Sequence, residues 1–180
     1  MRLDTYRNDQ FRVGVSRSLE AVWILISTFT LSSWLPGSLW RAMLLRTFGA
    51  EIGKGVVIKP RVRVKYPWRL KIGDFSWIGE GVWIDNLTDV RVGNHVCISQ
   101  GTYLCTGSHD WASTTFDLIL GPIHVKDHAW LCAMTRVGPG VTIDEGAVVA
   151  FGRVVTCDVE PWCVKGLHAT RPRILRTEGA

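Results

Sequence analysis

From residue 52 to residue 155 an aliphatic side chain returns every six positions, a period that helices and ordinary sheets do not produce. Ile52, Ile58 and Val64 form a first set, Ile72, Ile78 and Ile84 a second, and Val92, Ile98 and Leu104 a third. After a gap come Val125, Leu131 and Val137, then Ile143, Val149 and Val155. A helical apolar stripe would recur about every 3.6 residues, so a six-residue unit reads as a short strand followed by a sharp turn. Three units make one triangular coil, and coils stack at the parallel-strand spacing of ~4.8 Å. Two places before each aliphatic the residue is commonly small or β-branched, as in Val56, Ser76, Val96, Thr102, Ala129 and Ala147. Glycine often follows the aliphatic, at Gly53, Gly73, Gly79, Gly93 and Gly138, where it is expected to relieve turn strain. The period predicts an all-β solenoid, a parallel β-helix of about five coils with N-terminal helices and a C-terminal capping tail.

Departures from the period mark where chemistry can be grafted. The steps from Val64 to Ile72 and from Ile84 to Val92 each insert two residues at the third corner of a coil. Between Leu104 and Val125 the same corner holds a far longer insertion. A long loop on a rigid scaffold is a usual home for function. The organisation expected is an N-terminal helical cap over 1–49, the repeat over 50–160 with an extended loop 105–124, and a C-terminal cap and basic tail over 161–180. Trp111, Phe116, Leu118, Ile119 and Leu120 are apolar for a loop facing water, and are expected to pack on a neighbouring subunit.

Twenty uncharged residues run from Ala21 to Trp40, but serines and threonines dilute them and Pro36-Gly37 breaks them. Two short helices are expected, the second starting at Ser38, showing Leu39, Met43 and Leu44 on one face and stopping at Gly49. They read as a lid over the core. The alternative is a peripheral membrane contact, with the helices in the interface through Trp23, Trp34 and Trp40.

The chain has 180 residues, a net charge of +5 and 21% charged residues. That balance suits small anionic ligands, and without basic runs or base-stacking aromatics it argues against nucleic acid. Five cysteines without C-x-x-C indicate neither a disulfide framework nor a zinc knuckle. The first twenty residues lack the apolar core of a secretory signal, so the expected location is cytoplasmic, at the inner face of the membrane if the helices lie there. His124 and His128 have no evident third ligand, and no metal is expected.

Three stretches carry a resemblance: Trp77-Ile78-Gly79-Glu80-Gly81-Val82-Trp83-Ile84-Asp85-Asn86, Val96-Cys97-Ile98-Ser99-Gln100-Gly101, and Leu104-Cys105-Thr106-Gly107-Ser108-His109-Asp110. With the repeat, the chain resembles the left-handed β-helix acyltransferases, and most nearly the colanic-acid-type sugar O-acetyltransferases. The resemblance implies a left-handed coil, a homotrimer, and acetyl-CoA as co-substrate between adjacent prisms. It implies a sugar or glycan acceptor in exopolysaccharide biosynthesis.

By that resemblance His109 matches the catalytic base, which takes a proton from an acceptor hydroxyl attacking the thioester. A free imidazole, with a pKa of ~6.5, suits that task near neutral pH. Asp110 or a loop carbonyl would hold its other nitrogen. Stacking sets Asp85 and Asn86 one coil below Cys105 and Thr106, and these with Trp83 are the expected acceptor-binding residues. Trp130, Ala133, Phe151, Gly152 and Thr156 match positions lining the pantetheine channel, and Arg171, Arg173 and Arg176 the positions that hold CoA phosphates. Cys105, close to the base, is a conceivable nucleophile. Competing readings are acetylation of another acceptor such as an antibiotic hydroxyl, a metal-dependent carbonic anhydrase, or a non-catalytic hexapeptide-repeat structural or binding protein.

Overall fold

The computed structural model describes residues 2–6, 8, 11–166 and 169–174. Strands of two or three residues stack into three sheets that form the faces of a triangular prism. Glu51–Ile52, Leu70–Ile72, Val90–Val92, Ile123–Val125 and Thr142–Ile143 make the first face. Val57–Ile58, Trp77–Ile78, Cys97–Ile98, Trp130–Leu131, Val148–Val149 and Cys163–Lys165 stack in parallel on the second. Arg63–Val64, Trp83–Asp85, Tyr103–Cys105, Arg136–Val137 and Val154–Val155 make the third. The registers align the periodic aliphatics, for example Ile52 with Ile72 and Ile58 with Ile78. All fifteen are buried. So are the residues two places earlier, Val56, Ser76, Val82, Val96, Thr102 and Ala129 among them, except half-buried Arg153 in the last of these rungs. Nearly every rung therefore sends two side chains inward, the second most often small or β-branched, with Leu70 as a larger member.

The solenoid continues beyond the fifth coil. Val159 bridges Ile143 in parallel, and Cys163–Lys165 stacks on Val148–Val149, so the expected C-terminal cap begins as a sixth coil. Thr170–Pro172 then turns back antiparallel on that last strand and covers its edge.

At Gly53, Gly73, Gly79 and Gly93 the glycine has a different cause from the one expected. A Cβ on Gly79 would lie 2.5 Å from the Gln100 backbone nitrogen in the coil above, so that position needs glycine for close stacking. The left-handed backbone falls two residues later, at Gly81, Gly101 and Gly152 but also at Phe75, His95, His128 and Met134. Phe75, His95 and His128 offset that strain by stacking, with ring centroids 5.3 Å apart at each step. Beside them Asp74, Asn94 and Asp127 each accept a backbone N–H from the coil before, at 2.8–2.9 Å. Those Asn94 bonds hold the Asp127 carboxyl below its ordinary range.

The first coil has open backbone groups on all three faces, and the two helices close each of them. Helix α1 (Arg17–Phe29) buries Trp23, whose Nε1 donates to the Val64 and Lys65 carbonyls at 3.1 and 2.9 Å. Helix α2 (Leu39–Thr47) brings Arg46, which donates to the Ile52 and Gly53 carbonyls at 2.8 Å. Ser38 accepts the Ile58 N–H at 2.7 Å, so its hydroxyl serves the prism and makes no bond to its own helix. The face of α2 is also other than expected: Arg41, Ala42 and Leu45 are buried, while Leu39 and Met43 are exposed. Arg41 donates to the Leu35 and Gly37 carbonyls of the connector, and burial lowers its pKa. No helix among the described residues is long and apolar enough to cross a membrane.

Candidate active site

The long insertion at the third corner is a β-hairpin. Gly107–His109 pairs antiparallel with Leu118–Leu120, setting His109 opposite Leu118. Buried Thr106 roots the hairpin: its hydroxyl donates to the Asp85 carbonyl at 3.2 Å and accepts the Thr88 N–H at 3.1 Å. At the tip, Ser113 and Thr115 donate to the Asp117 carboxylate at 3.0 and 2.8 Å. Phe116 takes a left-handed backbone there, with φ 53°, which turns its carbonyl toward His109.

His109 is held on three sides. Its Nδ1 lies 2.9 Å from the Phe116 carbonyl oxygen. The Phe116 ring stacks on the imidazole at 4.2 Å, within 2° of parallel, and Tyr6 meets it edge-on at 5.5 Å. A carbonyl only accepts, so in the neutral ring Nδ1 carries the hydrogen and Nε2 the lone pair. Among the described residues nothing hydrogen-bonds Nε2. Beside the ring lies a cleft of about 320 Å³ lined by Ser108, His109, Asp110, Trp111, Ile119, Gly138, Pro139 and Thr156.

The expected site residues divide into groups. His109, Asp110 and Thr156 share the cleft. Asp110 turns away from the imidazole: its Oδ1 accepts the Ala112 and Ser113 N–H groups at 2.9 and 3.3 Å, closing a turn. The loop carbonyl, of Phe116, is what holds the histidine. Asn86 is fully buried, with its amide bridging the Tyr66 N–H at 3.0 Å and the Tyr66 carbonyl at 2.6 Å. It stitches two coils together and cannot meet an acceptor, which corrects the expectation for that residue. Asp85 is half-buried, paired with Lys65 at 3.1 Å and accepting from the Tyr103 hydroxyl at 3.0 Å. Burial, then the neighbouring Cys105 and Asp85 side chains, raise the Tyr103 pKa. Trp83 stacks on Tyr103 at 4.5 Å, under the Arg63 guanidinium at 4.2 Å. The Cys105 thiol donates to the Gly107 carbonyl at 3.2 Å.

The expected cofactor residues lie on another edge of the same prism. Trp130 stands on the second face, its Nε1 donating to the Ser99 hydroxyl at 3.0 Å. Ala133, Phe151 and Gly152 follow at the corner between the second and third faces, and only Thr156 reaches the His109 corner. Arg173 donates to the His128 and Gly146 carbonyls at 3.0 and 2.7 Å, so its guanidinium is engaged in closing the last coils. Arg171 is exposed on the final strand, and Arg176 lies outside the described residues.

Tyr6 carries no sequence signal. Two described residues before α1 are anchored on the prism and its hairpin: Trp68 Nε1 donates to the Val13 carbonyl at 2.8 Å, and the Arg2 N–H donates to the Thr114 carbonyl at 3.0 Å. Tyr6, between these anchors in sequence, meets His109, and no periodic pattern announces the contact.

No protein-family model matches the chain. A curated relative from Escherichia coli (strain K12), named "Putative colanic acid biosynthesis acetyltransferase WcaF", is 45% identical over 141 residues, covering 77% of this chain and 76% of its own. The hexapeptide-repeat-containing acetyltransferase VCA0836 of Vibrio cholerae, solved with acetyl coenzyme A, aligns with a TM-score of 0.74 and 25% identity over 88% of this chain and 89% of that one. The chain belongs to the hexapeptide-repeat acetyltransferases. A galactoside acetyltransferase solved with coenzyme A shares the fold, with a TM-score of 0.74 and 19% identity over 96% of this chain and 90% of that one. The prism is accordingly the left-handed β-helix of this hexapeptide-repeat acetyltransferase family, and the non-catalytic and carbonic anhydrase readings fall away.

Proposed function

We propose that this acetyltransferase moves an acetyl group from acetyl-CoA to a sugar hydroxyl in exopolysaccharide biosynthesis, with His109 as general base. The observation that carries the reading is the Phe116 carbonyl 2.9 Å from Nδ1 at the edge of an open cleft. Acetyl-CoA, as second substrate, supplies the activated thioester. Nε2 accepts the proton of the acceptor hydroxyl as its oxygen forms the new ester bond. The imidazolium so formed is stabilised by the Phe116 carbonyl and gives that proton to the departing thiolate sulfur. The cleft, at about 320 Å³, holds an acyl group and a sugar edge but not a whole CoA. Gly138, Pro139 and Thr156 would line the acyl end.

The rest of the donor needs a second copy of the chain. Within one prism the Trp130, Ala133, Phe151 and Gly152 strip and the His109 cleft are on different edges. A homotrimer with parallel axes sets the strip of one copy against the cleft of the next. Exposed Trp111, Trp130 and Phe151 are the surfaces such packing would cover. Asp85, held by Lys65 and Tyr103 one coil below Cys105, is the carboxylate assigned to the acceptor's hydroxyls.

Incubation with acetyl-CoA and a panel of colanic-acid-type oligosaccharides, read by mass spectrometry and NMR, tests the reading. An O-acetyl ester on a sugar hydroxyl is the expected product. Turnover of acetyl-CoA only with non-sugar acceptors, such as antibiotic hydroxyls, would overturn it.

A further inference from the structure

The capped end of the prism has two properties that the acetyl-transfer site does not use. The first is an apolar outer surface. Trp23 points inward, which leaves Val22, Leu25 and Phe29 as a stripe at spacings of three and four along the outside of α1. Phe29 is 71% exposed and Leu39, on α2, 80%. Trp34 in the connector is exposed too. Single exposed apolar residues are ordinary, but these gather on the two helices that close one end.

The second property is charge. Residues 11–71, which make the helices, the first coil and the start of the second, hold eleven Lys and Arg against two Asp and Glu. Residues 72–180 hold eight against twelve. The molecule is thus polarised along its axis, positive where it is apolar. Glu20 is one of the two acids, and its carboxylate accepts from the Tyr66 hydroxyl at 3.1 Å. Among the described residues Arg17, Lys59, Arg61 and Arg63 form no ion pair. The Arg61 guanidinium instead lies 4.8 Å over the Trp34 ring, joining the cation to the apolar surface.

Exposed aliphatics, a tryptophan and unpaired cations on one end of a rigid body match the two halves of an anionic bilayer surface. We propose that the N-terminal end of the prism docks on membranes containing anionic phospholipid, inserting the outer stripe of α1 while the basic first coil meets the headgroups. Docking follows from the surface alone and does not depend on the reaction. Its consequence does rest on the reading above: His109, carried by the third coil, would stand ~10 Å along the axis from the first coil, within reach of a glycan anchored in the bilayer.

The test is sedimentation of the purified full chain with vesicles of phosphatidylcholine alone and of phosphatidylcholine mixed with phosphatidylglycerol. The wild type is expected to sediment with the mixed vesicles, to bind neutral ones at least tenfold less, and to be released by added salt. The double variant Leu25→Glu with Phe29→Glu, at positions outside the core, should lose at least tenfold in binding and keep its circular dichroism and acetyl-CoA turnover. Lys59→Gln with Arg63→Gln should weaken binding to mixed vesicles while leaving the fold intact. Wild-type protein remaining in the supernatant with both vesicles overturns the proposal, as does binding that the Leu25→Glu and Phe29→Glu changes leave untouched. Sedimentation velocity supplies the other occupant: end-to-end pairing of copies that the same double variant abolishes would also overturn it.

Discussion

The Phe116 carbonyl oxygen lies 2.9 Å from Nδ1 of His109, and the same residue's ring stacks on the imidazole at 4.2 Å. One residue therefore fixes both the tautomer and the plane of the ring. It does so through a left-handed backbone, φ 53°, at the tip of a hairpin held by Asp117. In the role proposed for His109, the orienting group is a main-chain carbonyl, where a carboxylate would have been the more familiar choice.

The stacking half of that contact is separable from the carbonyl half. Phe116→Ala keeps the carbonyl but frees one face of the ring, and kcat is expected to fall ~10-fold through misorientation. The KM for acetyl-CoA should change little, because the ring lines no part of the strip assigned to the donor. Steady-state kinetics of the variant check this; an unchanged kcat would show that the stack does not position the base.

Asn86 separates structure from recognition. Its amide satisfies both backbone groups of Tyr66 from a fully buried position. Asn86→Ala leaves that donor and acceptor without partners and should destabilise the fold by ~1–3 kcal/mol for each. Urea unfolding measures the loss. In the protein that remains folded, the KM for the acceptor is expected to match wild type, whereas a tenfold rise would restore Asn86 to the acceptor site.

Trp23 plugs the first coil with its ring and bonds two open carbonyls with its Nε1. Trp23→Ala should cost ~3–5 kcal/mol. Trp23→Phe, which refills most of the volume without the donor, should cost ~1–3 kcal/mol. Thermal denaturation of both variants distinguishes a plug from a decoration: equal, negligible losses would mean that the end of the prism needs no stopper.

Alkaline stability reports the contact between α1 and the first coil. Burial, then the bond to Glu20, pushes the Tyr66 hydroxyl up to about 12. The folded state holds that proton more tightly than an unfolded tyrosine at ~10. Its contribution is therefore complete below pH ~10 and lost as pH rises toward 12, with a size of order 2 kcal/mol. Tyr66→Phe should flatten the unfolding free energy across that window. A slope identical to wild type would place the alkaline sensitivity elsewhere.

The prism was legible because each inward aliphatic repeats at a fixed interval and nothing else tolerates that interval. Ile52, Ile84 and Val155 stand where the period puts them. The insertion that holds His109 was legible through a broken step, as a long loop and not as the hairpin it forms. The corners were not. Whether Asn86 points in or out depends on how two inserted residues bend the chain, and the repeat carries no information on that. Gly79 was legible as glycine but not in its reason, since the coil that crowds it lies some twenty residues away in sequence. Tyr6 reaches His109 only through tertiary contacts at Trp68 and Thr114, which leave no local pattern. On α2 the apolar spacing nominated Leu39 and Met43, yet the buried face contains Arg41, because the connector's carbonyls bind its guanidinium.

The most direct test of the account is the rate of acetyl transfer by His109→Ala beside wild type, at saturating acetyl-CoA and a sugar acceptor that the wild type acetylates. A fall of ~10²–10⁴ in kcat, with circular dichroism and acetyl-CoA binding unchanged, is the predicted result. Turnover within twofold of wild type would contradict it, and would take the proton-abstracting role away from this imidazole.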